Sequence, residues 1–157
     1  MENDQARFFD QRVAETYDEL ASRLDTEGTV AFLERLAGDG SALELGIGTG
    51  RVALPLAARG VPVEGIDISP AMVSKLRAKP GGDRLSVTIG DFAEVPVEGR
   101  YRLVFVVAST FCNLGTQERQ VRCFEQVAAH LTEDGSFVVT GFVPDPRWLR
   151  DAGYVEA

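Results

Sequence analysis

The sequence is poor in the residues that bind metals and form disulfides. It contains two cysteines, Cys112 and Cys123, and one histidine, His130. The cysteines lie eleven residues apart, and no second pair of ligands accompanies them. This spacing matches neither a zinc site nor the disulfide framework of a small secreted protein. We therefore expect reduced thiols, no bound metal, and a structural role for His130.

Positive charge and long apolar runs are also scarce. Lysine and arginine number 16 against 24 acidic residues, which gives a formal net charge of -8. Because a protein that binds a nucleic-acid backbone needs clustered basic residues, this balance favours a small-molecule substrate over nucleic acid. No apolar run approaches the roughly 20 residues of a membrane span, and the polar, acidic start is unlike a secretory signal. We expect one domain, located in the cytoplasm, with no membrane partner.

The order of apolar patterns predicts an α/β fold. Apolar residues recur at helical spacing between Phe9 and Leu36, which predicts two N-terminal helices. After Gly38, strand patterns at 42–45, 61–66, 85–89, 103–108 and 137–142 alternate with helical ones. Such alternation favours right-handed βαβ units. We expect a three-layer sandwich with a mainly parallel sheet of about five strands.

Local signals place two of the helices between these strands. Ser69 followed by Pro70 predicts a helix over 70–79, and Thr116 can cap the next one. The helix that Thr116 can cap is expected to end at Asp134-Gly135. Its apolar residues form one predicted buried stripe: Val121, Phe124, Val127, Ala128 and Leu131.

Three glycines, Gly46, Gly48 and Gly50, lie between the first strand and the next helix. Glycines at such a turn let a ligand approach the backbone closely, so a nucleotide-like ligand is indicated. The dinucleotide fingerprint G-x-G-x-x-G requires its third glycine at position 51, which is Arg51. This spacing disfavours a nicotinamide-dependent oxidoreductase.

The stretch ALELGIGTGR at 42–51 closely resembles the first motif of class I S-adenosylmethionine-dependent methyltransferases. The resemblance continues, in the same order, at EGIDISPAM (64–72), at IGDF (89–92) and in the strand at 103–108. It implies a Rossmann-like fold, S-adenosylmethionine as cofactor, and methyl transfer to a nitrogen or oxygen of a small molecule. A looser resemblance points to enzymes of secondary metabolism, including those that methylate amino sugars. The segment after the fourth strand lacks the Asn/Asp-Pro-Pro-Tyr of enzymes that methylate DNA amino groups.

By this resemblance, the loop over 46–50 holds the methionine portion of the cofactor, and Glu44 organises the loop from beneath. Asp67 ends the second strand, where an acid accepts hydrogen bonds from the ribose hydroxyls. The alternative for Asp67 is a helix cap, a role that Ser69 fills more naturally.

The remaining cofactor contacts are also implied by the resemblance. Asp91 accepts a hydrogen bond from the adenine amino group, or is a solvated loop residue. Phe92 supplies an apolar wall, Met72 packs on the adenine or in the core, and Ala108 contacts the cofactor through its backbone. Tyr17 covers the cofactor, or belongs to the core. The expected binding set is Tyr17, Glu44, Gly46, Gly48, Gly50, Asp67, Ile68, Met72, Asp91, Phe92 and Ala108.

No residue stands out as a general base, and alignment of the reactants can supply most of the catalysis. We expect an N-terminal helical lid over 1–38, a Rossmann-like core over 42–143 and a tail over 144–157. The family fold has two further strands after the fifth, for which this tail has no room. We therefore expect cofactor binding to survive better than methyl transfer, and self-association through the exposed fifth strand or a longer natural protein. A non-catalytic cofactor-binding domain is the alternative function.

Overall fold

Residues 11–142, which the computed structural model describes, form an α/β sandwich around a five-stranded parallel sheet. The strand order is β3-β2-β1-β4-β5, and every neighbouring pair is parallel. Because the order reverses between β1 and β4, the carboxyl ends of these strands form the place where such sheets bind ligands. The strands are β1 (Ala42–Leu45), β2 (Val63–Asp67), β3 (Ser86–Ile89), β4 (Tyr101–Val106) and β5 (Leu131–Val139).

Helices cover both faces of the sheet, as the predicted three-layer fold requires. Residues of α2, α3 and α4 join one apolar cluster with the sheet, and residues of α5 join the other. Short 3-10 turns lie at Gly82–Arg84 and Thr110–Leu114. Among residues 11–142 no helix is long and apolar enough to cross a membrane. The helices are α1 (Gln11–Ala21), α2 (Thr26–Ala37), α3 (Ala53–Ala58), α4 (Pro70–Arg77) and α5 (Gln117–His130).

The predicted starts of α4 and α5 are confirmed by their caps. The Ser69 hydroxyl accepts a hydrogen bond from the Met72 amide at 3.2 Å, and Pro70 is the first residue of α4. The Thr116 hydroxyl accepts from the Arg119 amide at 3.3 Å. Each cap satisfies an amide that has no partner within its helix. The direction in which α4 leaves the end of β2 is thereby set.

The predicted apolar stripe of α5 is wrong in part. Cys123 and Val127 face the sheet and are buried, whereas Val121 and Phe124 are 49% and 51% exposed, and Ala128 is also exposed. The helix carries two adjacent apolar lines, and only the line that contains Cys123 and Val127 is buried. Phe124 packs at the margin instead, against the rings of Phe111 and Phe137.

Two further predictions needed correction. Strand β5 begins at Leu131, immediately after α5, rather than at Phe137. Its pairing with β4 is irregular, since Tyr101 pairs with Leu131 but Leu103 pairs with Ser136, so the Asp134-Gly135 signal lies inside the strand. In α1, Leu20 belongs to the apolar pattern that predicted this helix, but it is 71% exposed, because the helix turns its alanines inward. The residues at 1–10 and the predicted tail at 144–157 lie outside the described residues.

Candidate functional site

The glycine loop turns sharply between β1 and α3 at the carboxyl end of the sheet. Gly46 and Gly48 have φ of +74° and +55°, in the left-handed region that favours glycine. The Gly46 amide donates to the Ile66 carbonyl oxygen at 2.8 Å. A Cβ on Gly46 would lie 2.6 Å from the Thr110 methyl carbon. Both the backbone conformation and the close approach of Thr110 therefore require glycine at this position.

Asp67, the last residue of β2, ties this loop to the start of α4. Its Oδ2 accepts from the Gly48 amide at 2.7 Å, and its Oδ1 accepts from the Ser69 amide at 2.8 Å. Burial raises the pKa of Asp67, while hydrogen bonds from the Ser69, Gly48 and Ile68 amides oppose the rise. Each carboxylate oxygen has a second lone pair, so the group retains capacity to accept from a ligand hydroxyl. Asp67 thus holds the loop as well as lining the cavity described below.

Glu44 lies in β1 below the loop and is 2% exposed. Its Oε2 is a buried atom that has no hydrogen-bond partner within residues 11–142. Burial raises the pKa of Glu44 well above the ordinary value, the charge of Arg51 lowers it, and that of Asp67 raises it further. A buried carboxyl oxygen without a partner fits a cationic ligand such as S-adenosylmethionine, which carries a sulfonium and an ammonium group.

Most of the predicted cofactor-binding residues meet in one small cavity of about 50 Å³. Glu44 and Gly50 are not among its lining residues, nor are Asp91 and Ala108. Two lining residues of the turn after β4, Thr110 and Asn113, were not in the predicted set, and no motif identifies them in the sequence. The lining residues are Tyr17, Gly46, Gly48, Asp67, Ile68, Met72, Phe92, Thr110 and Asn113.

Tyr17 brings helix α1 to this cavity. Burial raises the pKa of the Tyr17 hydroxyl; the charge of Arg51 lowers it, and those of Glu44 and Asp67 raise it further. The phenol therefore stays protonated at neutral pH and can donate a hydrogen bond. Its place in the lining is consistent with the predicted role of Tyr17 over the cofactor, which stays a prediction.

Asp91 follows β3 and already has partners. Its Oδ2 forms an ion pair with the Arg119 guanidinium at 2.7 Å, and its Oδ1 accepts from the Ala93 amide at 3.0 Å. Arg119 lies in the first turn of α5 and also donates to the Leu114 carbonyl oxygen at 3.1 Å. Sequence reasoning missed Arg119, because its contact with Asp91 joins segments that are distant along the chain. These two contacts fix the orientation of the Asp91 carboxylate.

A second cavity, of about 420 Å³, lies at the carboxyl ends of β4 and β5. Ala108 and Ser109, which line it, have φ of +56° and +63°. Such conformations are costly for residues other than glycine and concentrate at functional sites. Thr140 stabilises this turn: its hydroxyl accepts from the Ala108 amide at 3.2 Å, and its carbonyl oxygen accepts from the Ser109 amide at 3.1 Å. The other lining residues are Leu24, Asp25, Thr29, Arg51, Val107, Gly141 and Phe142.

A third cavity is larger, at about 530 Å³, but it lies away from the glycine loop. Ser41, Glu64 and Ser86 line it, and these residues stand at the amino ends of β1, β2 and β3. Parallel sheets of this kind bind their ligands at the opposite, carboxyl ends. The cavities at the carboxyl ends are therefore the candidate functional site, although each of them is smaller.

Comparisons with known proteins agree with this geometry. Residues 42–135 match the methyltransferase domain family. A cypemycin N-terminal methyltransferase from a Streptomyces species is 28% identical over an alignment of 148 residues, and the match covers 92% of this chain and 60% of that protein. The chain thus spans less than two thirds of the length of this relative.

Solved structures share the fold. The CcbJ methyltransferase from Streptomyces caelestis is 37% identical with a TM-score of 0.72, over 81% of this chain and 54% of that one. DesVI from Streptomyces venezuelae, at 19% identity and a TM-score of 0.69 over 85% and 58% of the two chains, supports the fold alone. With the glycine loop and its acid in the same segment, the match over residues 42–135 shows that this chain belongs to the S-adenosylmethionine-dependent methyltransferases of Rossmann-like fold.

Proposed function

We propose that the protein binds S-adenosylmethionine at the carboxyl ends of β1 and β2 and methylates a nitrogen or oxygen of a small molecule. The observation that carries this proposal is the meeting of the glycine loop, Asp67 and Tyr17 in one cavity. The nitrogen target is favoured, since the relative that covers 92% of this chain is a cypemycin N-terminal methyltransferase.

The adenosine portion is assigned to the smaller cavity. Asp67 accepts hydrogen bonds from the ribose hydroxyls. Ile68, between β2 and α4, and Met72, on α4, contact the adenine, and Phe92 supplies an apolar wall. Asp91 accepts from the adenine amino group while Arg119 holds its carboxylate in place. An inosine analogue has an oxygen at this position, so we expect it to bind more weakly than the adenosine form.

The methionine portion is assigned to the glycine loop. The methyl acceptor is assigned to the cavity of about 420 Å³ at the carboxyl ends of β4 and β5. Glu44 lies beneath the loop. Ala108, whose backbone has a positive φ, lines the cavity assigned to the acceptor. When bound, the cofactor supplies an electrophilic methyl group. The protein's task is then to align the acceptor and exclude water, with Val107 and Phe142 as apolar walls and Arg51 as the polar contact.

Thermal shift tests the binding half of this proposal. A ligand that binds only the folded state raises the melting temperature, so S-adenosylhomocysteine is expected to do so while NAD and NADP do not. Equal shifts with all three ligands, or none with S-adenosylhomocysteine, would contradict the assigned site.

The second candidate function is a non-catalytic cofactor-binding domain, favoured by the partial coverage of the relatives. A panel of amines and alcohols separates the two functions. Multiple turnovers on any member support the enzyme, whereas binding of S-adenosylhomocysteine without turnover on the whole panel supports the binding domain.

Within residues 11–142, β5 is an edge strand of the sheet, and its outer edge is the proposed site of self-association. The amide and the carbonyl of Thr140 both face β4, through bonds to Val106 and Ser109. Since these groups alternate along a strand, the backbone amide of Val139 faces away from β4. Val139 is also 41% exposed. An apolar edge strand with free backbone groups is a template for pairing with another chain.

A further inference from the structure

The cavity assigned to the adenosine portion is too small to admit it. Its volume is about 50 Å³, whereas pockets for ligands of that size measure roughly 300–1,000 Å³. Tyr17 of α1 lines the cavity, as do Thr110 and Asn113 of the turn after β4. Because the glycine loop and β2 are fixed by the sheet, the parts able to move are α1 and the turn after β4. A contact that holds α1 down therefore controls access to the cavity.

One such contact joins α1 to the glycine loop through Lys79, which follows α4. The Lys79 ammonium donates to the Thr49 carbonyl oxygen at 2.8 Å and pairs with Asp18 Oδ2 at 2.6 Å. The Thr49 hydroxyl donates to the other oxygen of Asp18, at 2.5 Å. Both oxygens of Asp18 are thus engaged, and Asp18 is the neighbour of Tyr17 on α1. We refer to Asp18, Thr49 and Lys79 as the latch.

The latch is stronger than an ordinary surface ion pair because one of its members is fixed and buried. Thr49 is 1% exposed and lies between Gly48 and Gly50, whereas the side chains of Lys79 and Asp18 are 30% and 48% exposed. Exposed ion pairs contribute little by themselves. Burial raises the pKa of Asp18, but the hydrogen bonds from Lys79 and Thr49 outweigh this and lower it. Asp18 is therefore ionised at neutral pH.

We propose that Lys79 is a positioning residue, which holds α1 closed over the cofactor cavity by joining Asp18 to the backbone of the glycine loop. Opening of the lid breaks both contacts of the Asp18 carboxylate, one with the Lys79 ammonium and one with the Thr49 hydroxyl, so the latch sets how fast the cofactor leaves. This inference rests on the proposed cofactor site. Lys79 itself does not line the cavity.

The test compares Lys79→Met with a matched control, Lys75→Met. Lys75 lies on α4 and acts on Asp18 through its charge alone, whereas Lys79 also donates a hydrogen bond. We expect Lys79→Met to speed amide hydrogen exchange across 11–21 in the ligand-free protein. We also expect it to speed dissociation of S-adenosylhomocysteine, in stopped-flow measurements, by about three- to tenfold. Lys75→Met leaves both rates near those of the wild type, and Lys79→Arg restores most of the slow dissociation.

The outcomes separate the latch from the cofactor site. If Lys79→Met exchanges like the wild type over 11–21, or if Lys75→Met has the same effect as Lys79→Met, the latch is refuted. If the wild type fails to bind S-adenosylhomocysteine, the proposed function fails, while the exchange comparison still decides the latch. Asp18→Asn provides a second route should Lys79→Met not fold, and faster exchange over 11–21 is again the expected result.

Discussion

Replacement of Asp67 by alanine is expected to affect both the stability of the fold and cofactor binding. The carboxylate is 8% exposed and accepts hydrogen bonds from the amides of Gly48 and Ser69. Alanine leaves both amides without this acceptor, in a part of the molecule that little water reaches. The glycine loop then loses its link to the start of α4.

The size of the effect follows from these contacts. A buried amide that loses its partner costs about 1–3 kcal/mol, and relief of the burial of the carboxylate offsets part of the total. We expect the free energy of unfolding to fall by roughly 2–4 kcal/mol, which a domain of ordinary stability survives. Loss of the ribose contact is expected to weaken S-adenosylhomocysteine binding by a further one to two decades, or about 1.5–3 kcal/mol.

Urea denaturation followed by circular dichroism measures the first effect, and titration calorimetry below the unfolding transition measures the second. Asp67→Asn is the matched control, since it keeps one acceptor oxygen and nearly the same volume, and we expect about half of the loss in stability. If Asp67→Ala unfolds at the wild-type urea midpoint, the carboxylate does not hold the loop. If the variant binds S-adenosylhomocysteine with wild-type affinity, the ribose assignment is wrong.

Three other perturbations test separate parts of the site. Burial raises the pKa of Glu44 above its ordinary 4.5, so the folded state favours the protonated acid and gains stability as the pH falls from 7 toward 5. Glu44→Gln is therefore expected to increase the free energy of unfolding more at pH 7 than at pH 5, and an equal change at both would contradict the pKa shift. Gly46→Ala meets the Thr110 methyl group, whereas Gly60→Ala, also at positive φ, meets nothing within 4 Å. Gly46→Ala is thus expected to lower the melting temperature more than Gly60→Ala does. Equal decreases would show that the Thr110 side chain moves away from the added methyl group. Val139→Pro removes a backbone amide at the edge of β5 and is expected to abolish the concentration-dependent association that light scattering measures. A wild type that is monomeric at all concentrations would contradict self-association through this edge.

Those parts of the fold that depend on local signals could be predicted from the sequence. Strand β1 occupies the predicted 42–45, because a short apolar segment between glycines has few alternatives. The caps at Ser69 and Thr116 are equally local, since each hydroxyl bonds an amide only three residues ahead. The turn at the glycine loop also depends on local signals and could be predicted in the same way.

Features set by contacts between distant segments could not be predicted. The apolar pattern of α5 identified a helix but not which of its two apolar lines is buried, so Phe124 was assigned to the core. The pair between Asp91 and Arg119 and the bond from Lys79 to Thr49 join residues 28 and 30 positions apart. No spacing rule in the sequence marks such pairs. They arise only when the folded chain brings these distant segments together.

The three rings at the margin of α5 give the edge strand a physical connection to the cofactor cavity. Phe137 of β5 packs against Phe111 and Phe124 with ring centroids 6.5 and 5.3 Å apart, and Phe111 follows Thr110, which lines the cavity. A chain that displaced these rings on pairing with β5 would also shift the turn that carries Thr110. Thermodynamic linkage makes the effect reciprocal, so a change in cofactor affinity caused by association is matched by an equal change in association caused by the cofactor. Occupancy of the edge and occupancy of the cavity are in that case two readouts of one equilibrium.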